Sequence, residues 1–469
     1  MRPGYLREPM KTPAQIFREY DIRGLVDEDL SDDLVRSLGR AFVTFMRRET
    51  GSDRVTLTLG WDVRPSSRRL RDALTEGMVA AGARVLDVGL VPTPVQYYSC
   101  HRLATDGGVM ITGSHNPPEY NGFKLGYRDL PLSGEEIQRV RQLIEADDFL
   151  SGSGSVEERP VTEDYCDMVT SKVTLAREVR IVLDPANACG ALFAGDLLER
   201  VGARVDRLYD EVDGTFPNHH PDPTVDAYVV DLQKRVVEIG AEMGIGLDGD
   251  CDRIGAVDAT GRLVRGDQLT AVFARQQLER TPGATILYDV KSSRALEEDI
   301  RAHGGVPFMW KTGHSHAKLK MKQEGIPFGG EMSGHLFFFD DYWGFDDAIY
   351  AACKLCEIVS KSESSLGEIV GSLADYPSTP EVRIETTEDR KWKIVKEAKE
   401  TFGARYDTVD IDGVRISFDE GWALLRASNT QPVIVLRAEG NNESGLAAIK
   451  GRMEEFLAKH GIEEIPWGG

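Results

Sequence analysis

An apolar, strand-like run that contains or ends at an aspartate occurs three times along the chain. The runs are VTLTLGWD (55–62), VRIVLDPANACG (179–190) and ATILYDVKSS (284–293). Each is followed by a helical stretch and a short second strand, GARVLDVG, GARVDRLY or GGVPFMW, and then by a further strand that ends in a polar loop. This repeat predicts three similar α/β units whose loops lie at equivalent strand ends, where open α/β sheets bind ligands.

The pattern changes near residue 375. A strand, a helix from Asp389 to Phe402, a hairpin that turns at Asp412-Gly413, two more strands and a last helix predict an α+β module. The predicted fold is three similar α/β units with mixed sheets plus a C-terminal α+β domain, arranged around a central active-site cleft. The segment LSGSGSVEERP (150–160) is typical of a linker. The predicted domains are residues 1–158, 159–260, 261–374 and 375–469.

Composition narrows the class of protein. The net charge of the 469 residues is −21, which argues against nucleic acid as a partner and leaves no polybasic membrane patch. No apolar run is long enough to span a bilayer, and no basic, apolar leader is seen, so we expect a cytoplasmic protein. Cys353 and Cys356 form a C-x-x-C inside an apolar-periodic segment, which favours core packing over redox or metal chemistry.

A serine ends the apolar run GVMITGSHNPPEYNGFKL (108–125). The turn at Pro117-Pro118 would lift the hydroxyl of Ser114 into a cleft, with His115 beside it and Lys124 ten residues further on. Glycine, serine, asparagine and proline are also the ordinary residues of turns, so this segment alone leaves a plain turn open. The other loops decide between the two interpretations.

Three aspartates alternate in IGLDGDCDRIGAVD (245–258). Asp248, Asp250 and Asp252 would form an all-oxygen site for a hard divalent cation, with magnesium as the expected ion. An EF-hand is rejected because Arg253 stands at its sixth position, where glycine is required. Dinucleotide binding is disfavoured because the following residues predict a strand and do not open a helix.

A glycine-rich loop, FGGEMSGHL (328–336), carries Glu331, Ser333 and His335 at alternate positions. Residues two apart in an extended segment point the same way, so a carboxylate, a hydroxyl and an imidazole would face one ligand. Such a row of side chains could bind the hydroxyl groups of a sugar. The alternative interpretation of this segment is a glycine-rich turn before an apolar strand.

A fourth loop, RASNTQPVIVLR (426–437), precedes a β-branched strand. A guanidinium, two hydroxyls, an amide and the backbone N–H groups of a turn are what a phosphate dianion needs. The residues concerned are Arg426, Ser428, Asn429 and Thr430.

Together these loops resemble the active site of the α-D-phosphohexomutase family, and its phosphomannomutase/phosphoglucomutase branch in particular. The resemblance covers essentially the whole chain, in the motifs IFREYDIRG (16–24), GWDVRPSS (60–67), TGSHNPPEYNGFK (112–124), DGDCDR (248–253), DVKSS (289–293), KTGHS (311–315), GEMSGH (330–335) and RASNTQP (426–432). One departure is Gly113, where the family more often has alanine, and we expect glycine there to loosen the placement of the serine slightly.

The resemblance implies a phosphoserine enzyme that passes through a bisphosphorylated sugar. Ser114 would carry the phosphoryl group and add its phosphate to the magnesium ligands Asp248, Asp250 and Asp252, while Lys124 would transfer protons. The implied helpers in catalysis are Arg23, His115, Arg253 and His335. The implied substrate contacts are Tyr20, Lys291, Gly313, His314, Glu331, Ser333, Arg426, Ser428, Asn429 and Thr430.

The resemblance also implies the reaction, the interconversion of the 1- and 6-phosphates of mannose and/or glucose. Magnesium and a hexose 1,6-bisphosphate would be the cofactors, a small phosphosugar the partner, and a monomer or weak dimer the assembly. A mobile C-terminal domain would close over the ligand to exclude water. Phosphoglucosamine mutase is the alternative, and a metal-dependent sugar phosphatase a weaker one, because it needs no second phosphate pocket.

Overall fold

The structure, a computed structural model, describes residues 12–128, 130–428 and 431–468. Within these residues the chain divides into two compact units. The first contains the chain up to Arg265 with Ser333–Phe337 and Phe345–Gly367, and the second contains Gly266–Met332, Phe338–Gly344 and the chain from Glu368.

The first unit opens with a mixed sheet of strand order β1-β5-β4-β2-β3-β7, with β6 paired to β5. Helix α1 shows why elements begin and end where they do: the Ser31 hydroxyl accepts the N–H of Leu34 at its start, and Gly51 ends it at φ 65°. The elements are β1 (Ile22–Leu25), α1 (Asp32–Thr50), β2 (Thr56–Trp61), α2 (Ser67–Ala80), β3 (Arg84–Leu90), α3 (Thr93–Arg102), β4 (Gly107–Ile111), β5 (Tyr120–Tyr127), β6 (Leu130–Pro131), α4 (Glu135–Glu145) and β7 (Ser155–Glu158).

A second mixed sheet in this unit has the order β12-β11-β10-β8-β9. Its central strands β8 and β10 are almost entirely buried, whereas β9 at the edge is partly exposed. The elements are α5 (Thr162–Lys172), β8 (Val179–Asp184), α6 (Ala194–Arg200), β9 (Ala203–Arg207), α7 (Val230–Ile239), β10 (Met243–Leu247), β11 (Ile254–Asp258) and β12 (Leu263–Val264).

A third sheet has the order β14-β13-β15-β16, and the C-terminal sheet is antiparallel with the order β17-β21-β20-β19-β18. The first group of elements is α8 (Gly266–Arg280), β13 (Thr285–Asp289), α9 (Arg294–Ala302), β14 (Val306–Trp310), α10 (His314–Glu324), β15 (Phe328–Gly330), β16 (Leu336–Phe338), α11 (Ala348–Lys361) and α12 (Leu366–Gly371). The second is β17 (Val382–Glu385), α13 (Glu388–Gly403), β18 (Thr408–Val409), β19 (Val414–Phe418), β20 (Gly421–Ala427), β21 (Val433–Gly440) and α14 (Glu443–Ala458).

The predicted repeat is confirmed in the pairing of the strands. Strand β2 lies parallel between β3 and β4, β8 lies parallel between β9 and β10, and β13 lies parallel between β14 and β15. The serine, the three aspartates and the glycine-rich loop follow β4, β10 and β15. Three different loops therefore occupy the same place in three copies of one motif.

The predicted linker is wrong over part of its length. Residues Ser155–Glu158 form β7, which pairs in parallel with β3 from Arg84 to Asp87. The strand is mostly exposed and polar, and no apolar pattern marks it in the sequence. Besides the backbone pairing, Glu157 Oε2 accepts a hydrogen bond from Arg84 Nη2 on β3 at 2.7 Å. The four predicted domain boundaries stay predictions.

Two further expectations concern the cysteines and membranes. Cys353 and Cys356 are buried in α11 with free thiols, which confirms the predicted core packing. In the described part of the chain, no helix combines the length and the apolarity that crossing a membrane requires.

Candidate active site

Ser114 lies in the serine loop, residues 112–118, directly after β4. Its hydroxyl donates to Asp248 Oδ2 at 2.9 Å and lies 3.1 Å from His115 Nδ1. Its backbone is left-handed, with φ 49°, and its N–H donates to Thr112 Oγ1 at 2.8 Å. A non-glycine residue in this conformation is uncommon and costs energy, so surrounding contacts must hold it.

The acidic loop, residues 248–253, joins β10 to β11. Asp248 Oδ1 accepts the backbone N–H groups of Asp252 and Arg253, each at 3.0 Å, so one carboxylate organises the turn around itself. Cys251 takes the left-handed conformation that such a tight turn needs, with φ 62°. The loop thereby presents its alternate aspartates inward.

These aspartates fit a divalent cation. Asp248, Asp250 and Asp252 are all buried, and one carboxylate oxygen of each lies within 4.8 Å of the others. Asp250 Oδ1 and Asp252 Oδ1 are buried without a hydrogen-bond partner among the residues that the structure describes. Buried, unsatisfied carboxylate oxygens are costly, and a hard cation is the ligand that satisfies them.

Lys124 projects from β5 into the same group of carboxylates. Its Nζ donates to Asp250 Oδ2 at 2.6 Å and to Asp252 Oδ2 at 2.5 Å. Burial lowers the pKa of Lys124, but the charges of Asp250 and Asp252 outweigh it and hold the pKa well above its ordinary value. The side chain is therefore an ammonium that compensates part of the buried negative charge.

The aspartates are electrostatically unequal. Burial, together with the charges of Asp252 and Asp250, raises the pKa of Asp248 well above its ordinary value. Burial also acts to raise the pKa of Asp252, yet the nearby charges of Lys124 and His335 bring it below the usual range. The negative charge of Asp252 is thus compensated by neighbouring positive charges, whereas that of Asp248, which faces the serine hydroxyl, is not fully compensated.

A second set of polar groups surrounds this centre. Arg253 Nε donates to His335 Nε2 at 3.1 Å, and His335 Nδ1 lies 2.9 Å from Asp346 Oδ2 and 3.1 Å from the Asp252 carbonyl oxygen. Because Nε2 accepts, the proton of a neutral His335 sits on Nδ1. Arg23 Nη1 donates to Asn116 Oδ1 at 2.8 Å, which ties Arg23 to the serine loop.

Two predicted residues of the first unit remain to be placed. Tyr20 and Ser333 are half-buried. Ser333 and His335 belong to this unit, whereas Glu331 belongs to the second. The predicted row of three side chains is therefore divided between the two units.

In the second unit, the predicted cations are paired with carboxylates. Lys291 Nζ lies 3.1 Å from Glu381 Oε2, and Arg426 Nε lies 3.1 Å from Asp412 Oδ2. Burial acts to raise the pKa of Glu381, but the charges of Lys291 and Arg383 outweigh it and lower that pKa.

The other predicted contacts of this unit form short local interactions. Glu331 Oε1 accepts the N–H of Gly313 at 2.6 Å, and Gly313 precedes His314, the first residue of α10. Ser428 Oγ accepts the N–H of Gln431 at 3.2 Å. Asn429 and Thr430 lie outside the described residues.

Sequence reasoning missed several polar residues that support the site. Thr93 donates to Asp250 Oδ2 at 2.5 Å, and Asp346 contacts His335. Asp62 and Arg64 lie against the serine loop, and the guanidinium donates to the Ser114 carbonyl oxygen at 2.8 Å. The motif GWDVRPSS contains both Asp62 and Arg64, but nothing in its letters indicates which loop they reach.

Comparison with known families covers nearly the whole chain. The matching descriptions are Phosphoglucomutase/phosphomannomutase, alpha/beta/alpha domain I over residues 14–151, domain II over 163–261, domain III over 265–376, and the C-terminal domain over 381–456. The four matches follow one another in the order of the sheets described above.

Individual proteins agree with these matches. A phosphomannomutase/phosphoglucomutase of Pseudomonas aeruginosa is 42% identical over 93% of this chain and 94% of its own length. A phosphoglucomutase of Neisseria gonorrhoeae is 40% identical over 94% and 96%. The crystal structure of a phosphoglucomutase/phosphomannomutase family protein from Burkholderia thailandensis superposes with a TM-score of 0.90 at 37% identity, over 96% of this chain and 99% of that one.

The fold and the serine and aspartate site define a four-domain α/β enzyme of the sugar-phosphate mutase class. The chain belongs to the phosphoglucomutase/phosphomannomutase family. The predicted family, the α/β fold with mixed sheets and the class of enzyme are thereby confirmed.

Proposed function

We propose that this enzyme interconverts the 1- and 6-phosphates of mannose and/or glucose through a phosphoserine at Ser114. The observation that carries the proposal is the position of the Ser114 hydroxyl, buried and 2.9 Å from Asp248 Oδ2 at the edge of a carboxylate cluster. The names of the similar mutases from Pseudomonas and Neisseria support the substrate class.

The proposed cycle has two transfers that balance. In the first, a sugar hydroxyl attacks the phosphorus of phosphoserine and the P–Oγ bond breaks as the new P–O bond forms. The sugar hydroxyl proton passes to a basic group, and the leaving Ser114 Oγ gains a proton. The resulting bisphosphate turns end for end. In the second, Ser114 Oγ gives up its proton as it takes the other phosphoryl group, and the released sugar oxygen gains a proton, which leaves the isomeric monophosphate and restores the phosphoserine.

Asp248, Asp250 and Asp252 would hold Mg²⁺, with a serine phosphate as a further ligand. When bound, a divalent cation neutralises the charge that spreads over the transferred phosphoryl oxygens. Asp250 Oδ1 and Asp252 Oδ1, both buried without a hydrogen bond in the part of the chain that the structure describes, support this assignment. Arg253 adds a fixed positive charge beside them.

Lys124 is the proposed proton carrier. As an ammonium beside Asp250 and Asp252, it can donate a proton to the departing sugar oxygen, and the neutral amine can then accept one from the attacking hydroxyl. His335, whose Nδ1 lies 2.9 Å from Asp346 Oδ2, and Arg23, tied to Asn116, are the proposed helpers. His115 is the proposed orienting group for the serine hydroxyl.

The distal phosphate would be bound in the second unit. Lys291, His314, Arg426 and Ser428 supply the cations and the hydroxyl that a dianion needs, with Asn429 and Thr430 completing the predicted set. Glu331, Ser333, Gly313 and Tyr20 are the proposed contacts of the sugar ring. A hexose 1,6-bisphosphate would act as activator because it phosphorylates Ser114.

One experiment tests the proposal directly. The protein is incubated with glucose 1,6-bisphosphate, and intact-mass and peptide analysis locate any added phosphate. We expect one phosphate on Ser114, none on that peptide in Ser114→Ala, and a loss of mutase turnover of at least about 10³-fold in the variant, because the nucleophile is gone. Full turnover of Ser114→Ala would exclude the mechanism, and a preference for glucosamine 1-phosphate over glucose and mannose 1-phosphates would move the enzyme to the alternative substrate.

A further inference from the structure

The guanidinium of Arg64 is committed to the serine loop, to Tyr120 at the start of β5 and to its neighbour Asp62. The side chain is buried, and every one of its N–H donors is used. Nη2 donates to the carbonyl oxygens of Ser114 at 2.8 Å and Asn116 at 2.6 Å, Nη1 to those of Pro117 at 2.6 Å and Tyr120 at 3.0 Å, and Nε to Asp62 Oδ2 at 3.1 Å.

Two neighbouring residues lie close to this guanidinium. The centroid of the Phe216 ring is 5.0 Å from Arg64 Cζ. The backbone of Gly113 lies so close that a Cβ there would be 2.6 Å from both Cζ and Nε of Arg64. The backbone of Gly113 is not left-handed, so alanine is opposed by lack of space and not by conformation.

This contact corrects the sequence expectation for Gly113. Glycine does not serve to loosen the loop, because its N–H donates to Asp62 Oδ2 at 3.2 Å and its missing side chain admits Arg64. Because every N–H donor of the guanidinium is hydrogen-bonded, a shift that made room for a methyl group would weaken several hydrogen bonds. The observed position of the Arg64 guanidinium therefore requires a residue without a side chain at position 113.

We infer that Arg64, seated against Gly113, is the positioning residue that holds Ser114 in its left-handed conformation for phosphoryl transfer. The planar fork of arginine reaches four carbonyl oxygens at once, which the single ammonium of lysine cannot do. Charged donors make stronger hydrogen bonds than neutral ones, so the clamp can hold a backbone that is otherwise disfavoured. The inference rests on the proposed role of Ser114 as the phosphoryl carrier.

The test uses the full-length enzyme in five forms: wild type, Gly113→Ala, Arg64→Lys, Arg64→Ala and the double variant Gly113→Ala/Arg64→Ala. Matched controls are Arg68→Ala, on the exposed face of α2, and Gly451→Ala, where a Cβ meets nothing within 4 Å. Four measurements are made: kcat and KM of the mutase reaction, the single-turnover rate of phosphate uptake at Ser114 from glucose 1,6-bisphosphate, and the circular dichroism spectrum.

Gly113→Ala keeps every hydrogen-bonding group, so it remains informative if Arg64→Ala fails to fold. We expect it to lower kcat and the uptake rate by about 10²-fold with KM within about twofold, since a displacement near 1 Å at reacting atoms has that effect. Arg64→Lys should lower kcat and the uptake rate by at least as much. In the Arg64→Ala background, the further change Gly113→Ala should lower the uptake rate by less than about twofold, because the guanidinium that the methyl group would displace is absent.

The outcomes distinguish a failure of the inference about Arg64 from a failure of the proposed function. If the wild type takes up phosphate at Ser114 and Gly113→Ala and Arg64→Lys transfer it at the wild-type rate, the inference is overturned and the proposed function stands. If the wild type never takes up phosphate, the proposed function fails and the inference fails with it. A loss that appears equally in KM, or that Gly451→Ala and Arg68→Ala share, also overturns the inference, because a positioning residue acts on the rate of transfer.

Discussion

The two compact units hold their charged side chains in different ways. In the first, Ser114, Lys124 and the three aspartates are nearly or fully buried, and backbone N–H groups or neighbouring side chains fix their positions. In the second, Lys291 and Arg426 are also buried, but they face carboxylates of neighbouring side chains. Lys291 Nζ lies 3.1 Å from Glu381 Oε2 and 3.8 Å from Asp289 Oδ2, and the Glu381 side chain is 26% exposed. The reacting atoms are built into the fold, whereas the proposed phosphate-binding cations are held by partners that an anion could replace.

This difference follows from what each unit is proposed to do. Phosphoryl transfer depends on placement and on preorganised charge, so movement of a reacting group is costly. A distal site that receives two different ends of one bisphosphate must instead release its ligand and bind it again. Ion pairs that an incoming anion can replace suit that requirement.

The largest effect is expected from removing one charge of the buried cluster. Asp250→Asn keeps the shape of the side chain but weakens both the contact with Lys124 and the proposed cation site. We expect kcat/KM to fall by about 10³-fold, in the range found when a group that stabilises transition-state charge is removed. We also expect the Mg²⁺ concentration for half-maximal activity to rise, and turnover measured against Mg²⁺ concentration checks both.

The matched control for this variant is Asp53→Asn. The Asp53 side chain is fully exposed and lies 3.1 Å from Arg47, so its neutralisation should leave turnover unchanged. Unaltered activity of Asp250→Asn at the wild-type Mg²⁺ requirement would show that the buried cluster is structural, and the contrast between the units would disappear.

The next effect concerns the close approach of the serine loop and the acidic loop in the first unit. A Cβ on Gly249 would lie 2.2 Å from the Ser114 carbonyl oxygen, a backbone atom that cannot move alone. Gly249→Ala should therefore lower kcat by about 10²-fold and the free energy of unfolding by about 1–3 kcal/mol. Steady-state kinetics and urea denaturation measure the two quantities, with Gly451→Ala as the control glycine.

A wild-type kcat in Gly249→Ala would mean that the loops tolerate a displacement of this size. The serine and the aspartates would then not need the tight registration that distinguishes the first unit from the second.

The sequence predicts the elements of this site better than the contacts between them. The three strand-and-loop repeats were predictable because buried parallel strands are apolar throughout and the loops that follow them are polar. For the same reason β7 was missed, because Ser155–Glu158 is mostly exposed and polar. A hydrophobic pattern arises where side chains are buried, and an exposed edge strand therefore has no such pattern in its sequence.

The supporting contacts were not predictable for a different reason. Arg64 reaches carbonyl oxygens some fifty residues further along the chain, and Thr93 reaches Asp250 across 157 positions. Carbonyl oxygens are present in every residue, so no side-chain pattern marks the ones that Arg64 binds. The meaning of Gly113 was misjudged because its neighbour in space, and not in sequence, decides it.

The smallest expected effects lie in the second unit and compare the two members of one ion pair. Lys291→Ala should raise KM for the sugar phosphate by about 10-fold with little change in kcat, since it removes one charge-assisted contact to the ligand. Glu381→Gln should lower KM by about threefold, because a neutral amide competes less well than a carboxylate for the Lys291 ammonium. The control is Lys393→Ala, whose side chain is 76% exposed on α13.

The direction of the Glu381→Gln effect decides what the pair does. Because the charges of Lys291 and Arg383 lower the pKa of Glu381 against the effect of burial, the carboxylate is ionised near neutral pH and stays so as pH falls through its ordinary value. The pair is therefore intact at neutral pH, and a lower KM in the glutamine variant would mean that a ligand must displace Glu381. If KM instead rises as far as in Lys291→Ala, Glu381 orients the ammonium for its ligand, and the second unit is as preorganised as the first.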